Sequence, residues 1–169
     1  MKHLKTLVIA VVLAVGSVSF ASAQSKVAHI FVDKLMQEMP EMKAAQAELE
    51  KLGKSYESDI KTTYQEFQSK AQLYENEASG KTQEENAKRM QEIQQMQASI
   101  QQAQQVAAQE IDKKKIELLE PLLKKVNDAI QKVGRAKGYQ YVLDASMNSG
   151  IILADGPDLT PDVKKELGF

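Results

Sequence analysis

The fold of this chain is decided by the sequence YENEASGKTQEENAKRM (residues 74–90), which lies inside a long helical stretch of residues 41–138. Ser79-Gly80 interrupts the helical pattern there, because glycine commonly ends helices. Thr82 can accept a hydrogen bond from the first turn of a following helix, and Glu85 completes the spacing of a capping box. The sequence therefore predicts two long helices that fold back on each other as an antiparallel hairpin.

The outgoing helix carries a single stripe of apolar and small residues. The stripe mostly alternates steps of three and four residues, which places it on one face of the helix. Three successive steps of four around Ile60 locally relax a coiled-coil twist. Gly53 lies inside the same helix and costs about 1 kcal/mol relative to alanine, which predicts a soft point. The stripe occupies positions 42, 45, 49, 52, 56, 60, 64, 67, 71, 74 and 78.

The return helix has a thinner stripe, because small and flexible residues fill much of it. Between Gln91 and Gln109 the apolar residues stand among many glutamines, a composition typical of an exposed helix. We expect the two helices to pair along their length and to form the least stable part of the molecule. The stripe consists of Met90, Ile93, Met96, Ile100, Ala103, Ala107 and Ile111.

The last part of the return helix changes character from Lys113 onward, where large aliphatic residues become dense. Pro121 removes one backbone donor and predicts a kink or a restart of the helix. Gly134 and Gly138 predict its end. We therefore expect the base of the hairpin to pack into a core with the rest of the chain. The dense stripe contains Leu118, Leu122, Val126, Ile130 and Val133.

The remaining sequence predicts a small head with three short strands and a terminal helix. The strands are expected at Lys26–Asp33, Tyr139–Asp144 and Gly150–Asp155, and the helix opens at Thr160-Pro161-Asp162. One copy of so small a sheet leaves its edges and faces uncovered, so we expect the head to self-associate. The expected interface residues are Val27, Ile30, Val32, Tyr141, Leu143, Ile151 and Leu153.

The first 23 residues have the pattern of a removable export signal. Leu7–Val15 is an apolar run, and Ala21-Ser22-Ala23 provides the small residues needed for cleavage after Ala23. The run is too short to span a bilayer, which takes about 20 residues. The chain has no cysteine, so we expect neither a lipid-modified cysteine nor a disulfide in the exported protein.

The sequence lacks the residues that catalysis, metals and nucleic acids need. After the signal, His29 is the only histidine, and its place on a predicted strand favours a packed side chain. Asp144 and Asp155 end consecutive predicted strands, where aspartate more often forms turns than an acid–base pair. The net charge beyond the signal is about −3, which provides no basic field for nucleic acid. We predict no enzyme activity, no cofactor and no metal site.

Aromatic, aliphatic and methionine side chains of the hairpin are the candidate binding residues. Most are expected to pack the two helices together. A two-helix hairpin leaves some of them partly exposed, however, and tyrosine and methionine suit adaptable binding. The candidates are Tyr56, Ile60, Tyr64, Phe67, Tyr74, Met90, Met96 and Ile100.

The order of these parts resembles the Skp (OmpH-like) periplasmic chaperones. The likeness covers essentially the whole chain after the signal, and in the hairpin it is a likeness of pattern more than of identity. It is carried by the Val-Ala-x-Ile start of the first strand, by Ala129-Ile130, Gly138-Tyr139 and Val142-Leu143-Asp144, and by the Asp158-Leu159-Thr160 entry to the last helix.

The resemblance implies a periplasmic homotrimer whose heads join in a small β-barrel-like body. Three helical arms then enclose a cavity that holds unfolded outer-membrane proteins, the clients, without ATP. The best-known members are strongly basic, whereas residues 41–120 here carry 11 basic and 15 acidic side chains. This charge argues against membrane or lipopolysaccharide contact by electrostatic attraction, and it leaves client binding to short-range apolar contacts.

The predicted fold class is therefore α+β: a long antiparallel helical-hairpin (coiled-coil) arm on a small three-strand β head that assembles as a homotrimer. The predicted divisions are a signal at 1–23, head at 24–40, arm at 41–112, and arm base with the rest of the head at 113–169. The alternative function is a coiled-coil envelope adaptor or spacer that binds a folded partner. Dense heptads are typical of a stiff spacer, and this arm lacks them.

Overall fold

The computed structural model describes residues 26–169, and the predicted export signal with its cleavage site lies outside them. The order of elements is strand, short helix, two long helices, strand and short helix. They are β1 (Val27–Ile30), α1 (Val32–Glu38), α2 (Pro40–Glu77), a 3₁₀ turn (Ala78–Gly80), α3 (Gln83–Ala136), β2 (Tyr141–Asp144) and α4 (Thr160–Leu167).

The predicted helical hairpin is present. Helices α2 and α3 contain 38 and 54 residues, which correspond to about 57 and 81 Å of helix at 1.5 Å per residue. The Thr82 hydroxyl accepts a hydrogen bond from the backbone N–H of Glu85, and the Glu85 carboxylate accepts one from the backbone of Thr82. This capping box fixes the start of the return helix at the predicted place.

Helix α3 continues through Pro121, so the predicted restart is wrong. The proline deprives only the carbonyl of Glu117 of its helical donor, and both residues are exposed, so water can satisfy that carbonyl. The helix ends at Ala136, and Gly138, the residue after its C-cap, has a φ of +73°. There the N–H of Tyr139 donates to the carbonyl of Gly134 over 2.9 Å, which makes the end a Schellman motif.

Within residues 26–169 the head contains two strands rather than three. β1 and β2 pair in parallel, with Val27 opposite Tyr141 and Ile30 opposite Asp144. On its other side β1 forms an isolated parallel β-bridge between His29 and Asp158. The His29 N–H donates to the carbonyl of Pro157, and the His29 carbonyl accepts from the N–H of Leu159. The predicted strand Gly150–Asp155 is not a strand, because its backbone pairs with no strand in residues 26–169, and Ile152 is fully exposed.

The first strand is also shorter than the predicted Lys26–Asp33. It ends at Ile30, because Val32 already begins α1. The backbone N–H of Phe31, between the two elements, donates to the Thr160 hydroxyl at 3.1 Å. That bond ties the turn to the start of α4, so the head is closed by its own C-terminal helix.

The hydrophobic core lies in the head and at the base of the arm, as the dense stripe of α3 predicts. The last turns of α3 pack against β1, α1 and α4, and the side chains of Ile30, Leu35, Met39 and Val163 are at most 1% exposed. The core consists of Ala28, Ile30, Leu35, Met36, Met39, Val126, Ala129, Val133, Leu159 and Val163.

Two glycines in the long helices have opposite surroundings, which gives a test of the packing. A Cβ added to Gly134 would lie 2.9 Å from Val142 Cγ2, whereas one added to Gly53 would meet nothing within 4 Å. We expect Gly134→Ala to destabilise the head by about 1–3 kcal/mol through overpacking. Gly53→Ala should instead stabilise α2 by about 0.5–1 kcal/mol. Urea unfolding of both variants checks this, and destabilisation by both would contradict it.

Candidate functional site

The middle of the arm carries an apolar groove of about 680 Å³ between α2 and α3, which we call the mid-arm groove. Its floor includes Ile100 and Ala107, which are 7% and 5% exposed and are the two buried residues of α3 within the arm. The groove is lined by Gly53, Tyr56, Glu57, Ile60, Lys61, Tyr64, Ile100, Gln104, Ala107, Ala108 and Ile111.

Small residues make this groove. Gly53 on α2 and Ala107 and Ala108 on α3 leave space where larger side chains would close the seam between the helices. The structure brings four predicted binding residues together here, and a fifth, Phe67, stacks on one of them with ring centroids 6.0 Å apart. The four are Tyr56, Ile60, Tyr64 and Ile100.

A second groove of about 360 Å³ lies near the end of the hairpin, and we call it the tip groove. It unites two further predicted residues, Tyr74 and Met90, and Met90 is 65% exposed. Met96 is half-buried on α3 and does not line either groove. The tip groove is lined by Ala71, Tyr74, Ala78, Asn86, Arg89, Met90, Ile93 and Gln94.

Polar side chains hold the helices together beside the tip groove, in a set that we call the tip clasp. The Glu92 carboxylate accepts hydrogen bonds from the Lys70 ammonium and the Tyr74 hydroxyl. The Arg89 guanidinium lies 4.5 Å from the centre of the Tyr74 ring and pairs with Glu77 at 2.8 Å. These contacts link α2 to α3 where apolar burial is small.

The clasp shifts the pKa values of Glu92, Lys70 and Tyr74. The hydrogen bond from Lys70, followed by that from Tyr74, holds the pKa of the Glu92 carboxyl below its ordinary value. The same bonds to Glu92 raise the pKa of Lys70 and the pKa of Tyr74. Glu92 is therefore ionised, and both donors are protonated, throughout the neutral range.

The face of the head that lies opposite the core exposes apolar side chains, and we call it the head face. Val27, Tyr141 and Leu143 lie on it and are 42%, 58% and 41% exposed. Ile152 and Leu153 on the following segment are exposed as well. β2 pairs with β1 on one side and has no other strand neighbour within residues 26–169.

Not all predicted interface residues reach the head face. Ile30 is 1% exposed in the core, and Val32 packs against that core from the start of α1, so neither side chain is free to meet a second copy. Ile151 is half-buried. Val27 and Ile30 point to opposite faces because strand side chains alternate, and the prediction combined both faces.

Several exposed apolar residues are not among the predicted binding residues. Leu73 is 50% exposed between two stripe positions of α2, where it breaks the periodicity. Ile116 and Leu123 are 64% and 47% exposed and, with Leu119, line a shallow groove at the base of the arm. The spacing of these three residues by three and four positions indicates a second apolar face of the helix. In the sequence this face is difficult to distinguish from the denser core stripe beside it.

His29 is buried and packs edge-on against the Phe31 ring at 5.2 Å between centroids, as its predicted structural role requires. Within residues 26–169 there is no cluster of three or more His, Cys, Asp or Glu side chains that could hold a metal ion. The same part of the chain contains no helix that is both long and apolar enough to cross a membrane.

Comparisons with known proteins cover nearly all of the chain. The family described as outer membrane protein (OmpH-like) matches residues 26–167. The chaperone protein Skp of Pectobacterium atrosepticum is 23% identical over 92% of this chain and 93% of its own, and that of Photorhabdus laumondii is 27% identical over 94% and 93%. A solved structure from Caulobacter crescentus, described as OmpH-like, has the same fold, with a TM-score of 0.75, 18% identity and coverage of 86% and 85%.

The tip clasp predicts a pH dependence of arm stability. The folded pKa of Glu92 is depressed, so its contribution is complete above the ordinary carboxyl pKa of 4.5 and is lost as the pH falls below that value. Glu92→Gln should therefore unfold at a lower temperature than the unmodified chain at pH 7, and the difference should be smaller at pH 3, because the contribution is lost as the pH falls through the folded pKa. Thermal unfolding followed by circular dichroism measures this.

Glu66→Gln is the matched control, because Glu66 is an exposed carboxylate of α2 outside the clasp. We expect it to leave the unfolding temperature unchanged at both pH values. A Glu92→Gln effect of equal size at pH 7 and pH 3 would contradict the assigned role of the carboxylate.

Proposed function

This chain belongs to the OmpH-like family of outer membrane proteins, as the resemblance in its sequence predicts, and we propose that it is an ATP-independent holdase chaperone of the periplasm. Its relatives are named as chaperones, and the chain is not an enzyme. The proposed clients are unfolded outer-membrane β-barrel proteins. The proposed active form is a homotrimer whose arms, residues 41–112, enclose the client.

The observation that carries this proposal is an arm that has long helices and almost no core. Ala45, Ile100 and Ala107 are the buried hydrophobic residues of the arm, while Tyr64, Leu73 and Met90 are each about half exposed or more. An arm that served only as a spacer would gain stability by burying these side chains. The exposure of Tyr64 in the mid-arm groove and of Met90 in the tip groove instead supports contact with another apolar chain.

Weak contacts repeated over several arms suit a holdase. Strands of an unfolded barrel protein expose apolar side chains at alternate positions, which would otherwise associate with other unfolded chains. Each groove can accept only a short segment, but three arms present several grooves to one client at high effective concentration. The client would be held without being fixed in one conformation, and no ATP would be needed for its release.

The head face supports the self-association that the proposed trimer requires. The two-strand sheet has an open edge and exposes Val27, Tyr141 and Leu143. Such a sheet favours association with another copy of the chain in water. The exposed segment around Ile152 adds apolar area on the same part of the chain. Joining heads through this face would leave the arms projecting from one body.

We expect Leu143→Asp to dissociate the assembly, because a carboxylate would be buried without a partner in the joined heads. Multi-angle light scattering should then give one third of the mass of the unmodified protein, with helix content retained. Met90→Asp is the matched control, since Met90 is exposed at the arm tip and the trimer mass should persist. An unchanged mass for Leu143→Asp would contradict the head as the assembly site.

The holdase proposal is tested by diluting a urea-unfolded β-barrel protein into buffer with one trimer per client. The turbidity of the sample should rise more slowly than without the chain, because the apolar client segments are occupied. An unchanged rise would contradict the proposal. Specific retention of one folded envelope protein in the same experiment would favour the adaptor alternative.

A further inference from the structure

We propose that the mid-arm groove is a discrete binding site for an extended, uncharged segment of about five residues with alternating apolar side chains, and that Gly53 keeps this site open. The proposal rests on the proposed holdase function and assigns one place on the arm where a client segment is seated. It differs from a general apolar surface because it makes binding depend on the empty volume beside one residue.

Gly53 has no other structural reason to be glycine. It lies in the interior of α2, where glycine is among the poorest helix formers, and its φ is not positive. A Cβ at this position would meet nothing within 4 Å. Gly134 gives the contrast, because there a Cβ would collide with Val142. What the missing side chain of Gly53 provides is open space in the groove.

The length of the groove fits a short extended segment. Its α2 wall runs from Gly53 to Tyr64 and its α3 wall from Ile100 to Ile111. Each wall therefore extends for about 16 Å at 1.5 Å per residue. An extended chain advances about 3.4 Å per residue, so about five residues fit, with two or three alternate side chains facing the groove.

The charge of the groove matches a neutral occupant. Its rim has one acid, Glu57, one base, Lys61, and the amide of Gln104, while the remaining lining is apolar or tyrosine. An acidic or basic segment would meet an opposite charge and a like charge together. A segment that alternates apolar with uncharged polar residues places the former in the groove and leaves the latter in water. Strands of membrane β-barrels have this alternation.

The experiment compares two substitutions of Gly53 in the assembled full chain. Gly53→Ala adds one methyl group, whereas Gly53→Leu places a whole isobutyl group at the Gly53 end of the groove. Both residues are stronger helix formers than glycine, so neither should unfold α2. The probe is a fluorescein-labelled peptide of about nine residues, which is about twice the length that the groove accepts. It alternates Phe or Leu with Ser or Thr. Fluorescence anisotropy gives its dissociation constant.

We expect Gly53→Leu to weaken peptide binding about tenfold or more, and Gly53→Ala to leave it within about twofold, on the scale at which steric filling of a pocket alters affinity. Ser58→Leu is the matched control, because it adds the same side chain on an exposed part of α2 outside the groove. It should leave binding within about twofold as well. Circular dichroism should show equal helix content in all three variants.

Two results would overturn the proposal. Unchanged binding by Gly53→Leu would show that the groove is not the site. An equal loss in Gly53→Ala and Gly53→Leu would show that backbone freedom at Gly53, rather than open space, is what binding needs. The aggregation experiment on the same proteins separates this inference from the proposed function, because an unmodified chain that fails to delay client aggregation contradicts the holdase itself.

Discussion

The packing of the last turns of α3 against β1 and α4 is the interaction on which the rest of the structure depends. Val126, Ala129 and Val133 enter the core from α3, and Ile30 and Val163 meet them from β1 and α4. The close approach of Gly134 to Val142 brings β2 onto the same helix. One end of a 54-residue helix is therefore fixed by most of the apolar burial within residues 26–169. Everything beyond that end projects from it.

The arm has to be stable with much less burial, and its interactions have a different character. Ion pairs join α2 and α3 at intervals, including Lys114 with Glu48 at 2.7 Å and Arg89 with Glu77 at 2.8 Å. Exposed ion pairs contribute little each, because solvent screens them and the side chains lose freedom. They set the register of the hairpin without closing its seam. The grooves lie between these ion pairs, and small residues such as Gly53, Ala107 and Ala108 contribute to the lining of the mid-arm groove.

Features that depend on a few neighbouring residues were predictable from the sequence. The Thr82–Glu85 capping box and the helix end before Gly138 are decided by backbone donors and acceptors within one turn, so local residue types identify them. Gly150–Asp155 was predicted wrongly, because its composition suits a strand but a strand also needs a partner, which the described chain does not supply. Composition reports how well residues suit a strand, whereas pairing depends on distant parts of the chain or on another copy.

The candidate site was predicted only in part for a related reason. Periodicity placed Tyr56, Ile60 and Tyr64 on the correct face of α2, but it could not give their partners on α3, because the register of two antiparallel helices depends on contacts far apart in sequence. Gly53 was interpreted as a soft point of the helix, because the sequence shows that this residue has no side chain but does not show which residues surround it. That space became visible only with the α3 residues that line the same groove, Ala107 and Ala108 among them.

The acidic balance of the arm limits how a client can be attracted to it. Residues 41–120 have 15 acidic and 11 basic side chains, and several of these are already paired across or along the helices. At physiological ionic strength, exposed charges act over about 8 Å, so a weak net charge steers little from a distance. Under the proposed function, capture would then depend on apolar contact at the grooves, and binding would change little with salt. A holdase of this kind selects clients by exposed apolar side chains in an extended chain, which a folded protein conceals.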